Sequence, residues 1–166
     1  MSVNDFTLTK EYLHQLFKYK DGELFWIKQT GKRSKIGKKA GSFNKNGYKA
    51  ICLNNKKYYN HRLIFMMFNG YLPKYIDHID GNLKNNSINN LRQATDSQNN
   101  YNQKMTKTNT SGIKGVSWDK NRNKWHVQVI SEKKVVFQKR FDDIELAEFV
   151  AIEARNKYHG KFARHT

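Results

Sequence analysis

The amino-acid sequence predicts an α+β protein of two small domains, and three observations lead to this prediction. Between positions 23 and 95, short apolar runs with strand character alternate with one apolar helical run. After position 112, three runs alternate apolar and polar residues, and a helix with apolar residues at 3-4-3-4 spacing follows them. Residues 103–112 carry no apolar pattern, which is typical of a linker. We therefore place one domain at 1–103, a linker at 104–111 and a second domain at 112–166.

The N-terminal elements follow from turn and cap residues. Asn54-Asn55 is a plausible hairpin turn, Gly70 ends an apolar helix, and Asp96 is a candidate helix cap. Cys52 is the only cysteine, which excludes zinc-finger spacings and structural zinc, and its apolar run predicts that it is buried. The predicted strands cover 23–27, 48–53, 56–61, 75–80 and 91–95, and the predicted helices begin at Thr9, cover 62–70 and follow Asp96.

The charge of the chain favours a polyanionic partner. There are 31 Lys and Arg against 14 Asp and Glu, a formal net charge of +17. Between Leu24 and Ile76 twelve residues are basic and none is acidic, so we favour phosphate contact by the stretch Lys28 to Lys57 over a merely solvated loop. Nucleic acid is the leading partner, and the electrostatic attraction does not separate DNA from RNA. We find no long apolar run and no signal peptide, and therefore expect no membrane partner.

Asp77 and His78 end the basic run, and an acid beside a histidine there suggests a metal ion bound at a phosphate. Consecutive strand residues point to opposite faces, so the two side chains take different roles. A carboxylate binds a hard cation through oxygen, and an imidazole, which titrates near neutral pH, can serve as general base. Asn99, in the first turn of the next helix, offers a second oxygen ligand. This donor set suits Mg²⁺, with Mn²⁺ as the alternative ion.

These residues belong to a spaced pattern, NHRLIFMMFNG, DHIDGN, NNLRQAT and QNNYN, which resembles phage HNH homing endonucleases over residues 20–103. That family has a ββα-metal fold of two strands, a loop and a helix around one divalent ion. The resemblance implies His78 as general base and Asp77 with Asn99 as metal ligands, Asn100 being the alternative to Asn99. It also implies that Asn90, the middle asparagine, holds the loop and orients the histidine strand. The first letter of the motif is Asp here instead of His.

Two further residues are candidates for the same site. His61, in the HRL element, supports the site or touches DNA. Arg92 clamps a phosphate or faces solvent, and the sequence gives these two alternatives equal weight.

The C-terminal module is predicted to be a three-stranded antiparallel sheet packed on one helix that begins at Asp142, with Glu145 in capping-box register. From Thr106 it has thirteen basic and seven acidic residues. SGIKGVSWDKNRNKWHVQV and KRFDDIELAEFVAIEARNKYHG resemble the plant ethylene-response-factor DNA-binding domain, which also occurs fused to phage HNH nucleases. That family reads the major groove with its sheet. The resemblance implies DNA contacts by Lys114, Ser117, Lys124, Gln128 and Arg122, the last in a turn two residues longer than the plant pattern.

Together these features predict a metal-dependent, site-selective DNA endonuclease of the homing type. The N-terminal domain would cut double-stranded DNA and the C-terminal module would locate the site, in the cytoplasm of a phage-infected bacterium. We expect no obligatory small-molecule substrate, and either a monomer that nicks or a homodimer that cuts both strands. The alternative is a non-catalytic DNA-binding regulator, which would bind without turnover.

Overall fold

A computed structural model describes residues 8–166, and the chain forms two compact units, Met1–Gln93 and Ala94–Thr166. Small antiparallel sheets and helices make it an α+β protein, which confirms the predicted fold class. Tyr101 belongs to the second unit, and the domain bounds 1–103 and 112–166 with a linker at 104–111 stay a prediction. The ring of Tyr101 stacks on His159 at 3.9 Å and its hydroxyl lies 3.0 Å from the Ser131 hydroxyl. No helix among the described residues has the length and apolar character needed to span a bilayer.

The first unit is built from short elements that pair locally. Strands β1 and β2 form one ribbon, β3, β4 and β5 form a three-stranded sheet in that order, and β6 pairs with β7. The elements are α1 Lys10–Leu16, β1 Phe17–Lys20, β2 Glu23–Trp26, β3 Ser42–Phe43, β4 Lys49–Leu53, β5 Lys56–Tyr59, α2 Asn60–Asn69, β6 Tyr75–His78 and β7 Leu91–Ala94.

The core of this unit lies where α1 and α2 meet. Leu13 and Leu16 of α1 are buried in one cluster with Leu63 and Met67 of α2. Burial of each such side chain contributes about 1.5–3 kcal/mol. Gly70 adopts a φ of +76° and ends α2, as predicted. The packing fixes α2, and with it the first-turn residues that face the candidate site.

The β4–β5 hairpin confirms the predicted turn and corrects one expectation. Asn54 and Asn55 have φ of 48° and 62°, the positive values that a two-residue type I′ turn requires. Cys52, which we expected to be buried, is exposed. Side chains alternate along a strand, and in β4 Ile51 and Leu53 occupy the inward positions.

The basic segment 28–47 is held against β2 by its backbone. Backbone hydrogen bonds attach it to β2, from Trp26 N to Lys38 O at 3.0 Å and from Ala40 N to Leu24 O at 2.7 Å. Its charge is also partly offset, because Glu23 forms ion pairs with Lys39 and with the buried Lys49. The stretch from Leu24 to Ile76 contains no acid, but the Glu23 carboxylate immediately before it neutralises part of the positive charge of that stretch.

The second unit contains a sheet with strand order β10-β9-β8, packed on one long helix, which confirms the predicted C-terminal architecture. Its elements are α3 Asp96–Tyr101, β8 Val116–Asp119, β9 Lys124–Ser131, β10 Lys134–Phe141 and α4 Ile144–His159. Val116, Val127 and Phe141 of the sheet are buried against Ala147 and Ala151 of α4.

Both helix caps in this unit differ from the predicted residues by one position. Thr95, not Asp96, caps α3, and it forms a reciprocal capping box with Gln98. Asp143, not Asp142, caps α4 by accepting a hydrogen bond from Leu146 N at 2.7 Å. Adjacent polar residues satisfy the same sequence preference, and only backbone geometry selects between them.

Candidate active site and nucleic-acid interface

Asp77 lies at the inner side of β6 and is 5% exposed. Its Oδ2 accepts a hydrogen bond from Nε of Arg92 on the neighbouring strand β7 at 2.7 Å. Arg92 therefore faces the candidate site instead of pointing away from it. The guanidinium compensates a carboxylate that would be costly to bury alone.

His78, the next residue of β6, is 3% exposed and is held by the loop that follows. Its Nε2 lies 3.0 Å from Oδ1 of the buried Asn86. Since an amide oxygen only accepts, Nε2 is the donor in this contact. We did not single out Asn86 from the sequence, because nothing distinguishes it from the other asparagines of this loop.

Asn90 closes the base of the same loop. Its Oδ1 accepts from Asp80 N at 3.0 Å, and its Nδ2 donates to Asn85 O at 2.8 Å and to Asp80 Oδ1 at 2.9 Å. Its backbone oxygen accepts from Ile79 N at 2.9 Å. These bonds tie the residue before β7 to the residues after β6. A direct role of Asn90 in catalysis stays a prediction.

His61, in the first turn of α2, packs inside an aromatic cluster. Its ring is stacked with Tyr59, at a centroid distance of 5.7 Å, and meets the His78 ring edge-on at 5.1 Å. Tyr48, which we had not considered, lies 5.4 Å from His61 and 6.4 Å from His78. Burial, followed by the charges of His78 and Arg62, lowers the pKa of His61 to about 3. The contacts place His61 beside the candidate base, where it restricts the position of the His78 ring.

This buried neutral histidine makes the stability of the unit sensitive to acid. The unfolded chain protonates His61 near pH 6.5 and the folded chain only near pH 3, so the unfolded state binds more protons between these values. The free energy of unfolding should therefore fall as the pH drops below 6.5, by up to about 1.4 kcal/mol per pH unit from this group. Urea unfolding at pH 7 and pH 4.5, with chelator, checks this for the wild type and for His61→Phe. An equal loss of stability in the two proteins would contradict the assignment.

The proposed second metal ligand lies on α3 in the second unit. Asn99 is half-buried and Asn100 is exposed. No group of three His, Cys, Asp or Glu side chains suited to a metal is present among residues 8–166. Mg²⁺ does not require such a group, because it keeps several waters and uses one or two carboxylates with substrate phosphates. The buried carboxylate of Asp77, beside a histidine that binds the loop, is chemically compatible with this ion.

A basic groove lies in the first unit on the face that includes Cys52. It has a volume of about 680 Å³, and its walls include Arg33, Lys39, Phe43 and Lys57. Cations beside an aromatic ring are the side chains that contact phosphates and bases in single- and double-stranded nucleic acid. The predicted basic surface therefore includes a concave groove.

Three candidate DNA contacts of the second unit share the sheet face opposite α4. Val127 of β9 packs against the helix, so Lys124, His126 and Gln128, at even positions of the same strand, lie on the other face. Ser117 of β8 pairs with His126 across the sheet and therefore shares that face. Lys124 is paired there with the Asp142 carboxylate at 2.8 Å.

The two remaining candidates make contacts elsewhere. Arg122, in the β8–β9 turn, is paired with Asp119 at 3.3 Å. Lys114 is directed inward, and its ammonium donates to the carbonyl oxygens of Tyr101 and Gln103 at 2.8 and 2.5 Å. DNA contact by these five residues stays a prediction.

The order of these elements defines a class of protein. A strand carrying Asp77 and His78, a loop closed by Asn90, a second strand and a helix follow one another between residues 75 and 101, as in HNH nucleases. The model of the HNH endonuclease family matches residues 58–101.

Comparison with known proteins identifies the family. Protein 3.8 of Escherichia phage T7 is 44% identical over 108 residues, which are 63% of this chain and 87% of that protein. An uncharacterized HNH endonuclease of Acanthamoeba polyphaga mimivirus is 43% identical over 60 residues, 34% of this chain and 32% of that protein. No solved structure matches the chain. The chain therefore belongs to the same family as Protein 3.8, and it carries an HNH endonuclease domain. This domain makes it a nuclease with DNA as its substrate class.

Proposed function

We propose that the protein is a metal-dependent, site-selective DNA endonuclease of the homing type, with His78 as its general base. The observation that carries this proposal is the fixed orientation of His78, whose Nε2 is bonded to Asn86 at 3.0 Å. A residue with only a packing role needs no such orientation. The protein would act in the cytoplasm of a phage-infected bacterium.

In the proposed reaction, water is the nucleophile. The His78 imidazole takes a proton from the water as its oxygen attacks phosphorus, the bond from phosphorus to the 3′ oxygen breaks, and the departing oxygen takes a proton from solvent. By family resemblance the products are a 5′-phosphate and a 3′-hydroxyl. The phosphate gains negative charge in the transition state, so nearby positive charge stabilises it.

A divalent ion, Mg²⁺ or Mn²⁺, would be held by Asp77 and Asn99, and when bound it would supply positive charge at the phosphate. Arg92 would orient the Asp77 carboxylate through the 2.7 Å contact. Asn90 would hold the loop that carries Asn86. Each of these residues acts through a contact described above, except Asn99, which lies in the second unit.

Two surfaces support DNA as the substrate. The basic groove is lined by Arg33, Lys39 and Lys57 together with Phe43. The second unit presents Ser117, Lys124 and Gln128 on one sheet face, in the manner of proteins that read a groove with a β-sheet. We propose that the first surface contacts the phosphates near the cut and that the ethylene-response-factor-like sheet locates the target, with Arg122 at its edge.

A cleavage map tests the proposal. Purified protein is incubated with Mg²⁺ and fragmented phage and bacterial DNA, and new ends and nicks are sequenced, with His78→Ala in parallel. Recurrent cuts by the wild type alone would support a site-selective nuclease and would separate nicking by a monomer from double-strand cutting by a dimer. Binding without cuts, equal in both proteins and in Mn²⁺, would favour the non-catalytic regulator.

The Asn86 contact yields a separate prediction. Asn86→Ala should slow cleavage by about 10²-fold, because the imidazole loses its orientation while remaining present. Single-turnover nicking of a plasmid measures the rate. Asn89→Ala is the matched control, since Asn89 is an exposed asparagine of the same loop. Equal rates for the two variants would exclude an orienting role for Asn86.

A further inference from the structure

A second cavity lies within the second unit, and its lining includes Ser97, Asn100 and Tyr101 of α3. Its volume is about 320 Å³, several times the share of one water molecule in the liquid. Residues of α3, β9, α4 and the loop before β8 form its walls, and the described lining residues include no acid. Its basic members are Lys114, Lys133, Arg155 and His159.

Arg155 lines this cavity and is only 2% exposed. Its Nη1 donates to the carbonyl oxygen of Lys114 and its Nε to Nδ1 of His165 at 3.3 Å. Its Nη2 is buried and has no hydrogen-bond partner among the described residues. An orphan guanidinium N–H inside a protein is costly, because the group has lost its water without gaining an acceptor.

His159 supplies a second unpartnered atom. Its Nε2 donates to the Ile130 carbonyl at 2.9 Å, and its ring is stacked on Tyr101 at 3.9 Å, so its orientation is fixed. Nδ1, on the other side of the ring, is buried with no partner among the described residues. Burial and the charges of Lys114 and Arg155 lower the pKa of His159, and Nδ1 becomes a donor only when the ring is protonated, a form that a bound anion would favour.

The cations of this cavity repel one another. Burial, together with the charges of Arg155 and Arg164, lowers the pKa of Lys114 to about 8. Burial also lowers the pKa of Arg155, and Glu148 offsets only part of that effect. Gly115, with a φ of +77°, lets the backbone pass so closely that a Cβ there would lie 3.3 Å from Nη1 of Arg155. The fold thus holds a guanidinium tightly in a place where positive charge is unfavourable, and an anion would remove this cost.

We propose that this cavity is a binding site for a phosphate group, held by Nη2 of Arg155 with Lys133 and His159 around it. Guanidinium N–H groups match the spacing of phosphate oxygens, and a partly enclosed cavity strengthens the attraction. The phosphate comes either from a nucleic-acid backbone or from a free phosphate compound, and both present the same tetrahedral oxyanion. The site does not depend on the proposed cleavage chemistry.

Thermal unfolding of the full chain tests the site with inorganic phosphate as the probe. The Tm is measured in rising phosphate, with sodium chloride adjusted to constant ionic strength, since a ligand of the folded state raises the Tm in a saturable manner. The wild type should show this rise. Arg155→Met should weaken phosphate binding at least tenfold, and Lys133→Gln, in an exposed turn, severalfold. Lys120→Gln, an exposed lysine in the β8–β9 turn outside the cavity, should behave like the wild type.

Each outcome of these measurements either supports or overturns the proposed phosphate site. A Tm that depends on ionic strength alone, or a folded Arg155→Met that retains the phosphate effect, would overturn the site. If Arg155→Met does not fold, the comparison of Lys133→Gln with Lys120→Gln decides. Competition between inorganic phosphate and a short DNA duplex, in chelator to prevent cleavage, would assign the cavity to backbone phosphate. Independent binding of the two would assign it to a free phosphate compound.

Discussion

Replacing His78 with alanine should lower the rate of DNA cleavage by about 10²- to 10⁴-fold, the usual contribution of a general base. DNA affinity should change little, since His78 is buried and the cationic surfaces are elsewhere. Single-turnover nicking at saturating Mg²⁺ measures the rate, and a gel-shift titration in chelator measures affinity.

His14→Ala is the control for this experiment. His14 is an exposed histidine of α1, and its Nε2 lies 3.1 Å from the carbonyl of Met67, which is not a residue of the candidate site. The loss of the His14 ring should therefore leave the cleavage rate unchanged. Added imidazole should restore part of the rate of His78→Ala only, because alanine leaves space where the ring was. Normal cleavage by His78→Ala would exclude this residue as the base.

Replacing Asp77 with asparagine should reduce cleavage by about 10³-fold or more. A carboxylate that holds a divalent ion accounts for several kcal/mol of transition-state stabilisation, and about 1.4 kcal/mol corresponds to a factor of ten. The variant should also need more Mg²⁺ or Mn²⁺ for half-maximal rate. A titration of rate against each metal measures both effects.

Arg92 separates a metal-binding role of Asp77 from a purely structural one. Asp77→Asn leaves the half-buried Arg92 without this charge partner, which should destabilise the unit. In Asp77→Asn/Arg92→Gln the orphan cation is absent, so stability in urea should recover while cleavage stays lost. Recovery of cleavage in the double variant would show that Asp77 acts only through its ion pair.

Elements whose signals are local could be predicted from the sequence. The turn Asn54-Asn55 carries the two residues that tolerate positive φ, and the regular alternation after residue 112 specified a sheet and a helix. The helix caps were wrong by one residue, because Thr95 and Asp96 both satisfy the cap preference. The prediction for Cys52 was wrong because the whole apolar run was interpreted as buried, whereas Cys52 is exposed between the buried Ile51 and Leu53.

The contacts that define the site could not be predicted, because they join residues far apart in the chain. Asp77 and Arg92 are fifteen residues apart, and Lys114 and Arg155 are forty-one apart. The pairing of Asn86 with His78 depends on the path of a loop that contains several asparagines. The composition shows the net charge of the chain, but it does not predict the groove that Phe43 lines or the burial of Arg155.

The exposure of Cys52 gives the chain a chemical reporter. It is the only thiol in the sequence, and it belongs to the wall of the basic groove together with Lys57 and Arg33. A maleimide dye would therefore modify one position, and its reaction rate would register whatever covers that wall. Duplex that occupies the groove would slow labelling, so occupancy could be followed in the natural chain without any substitution.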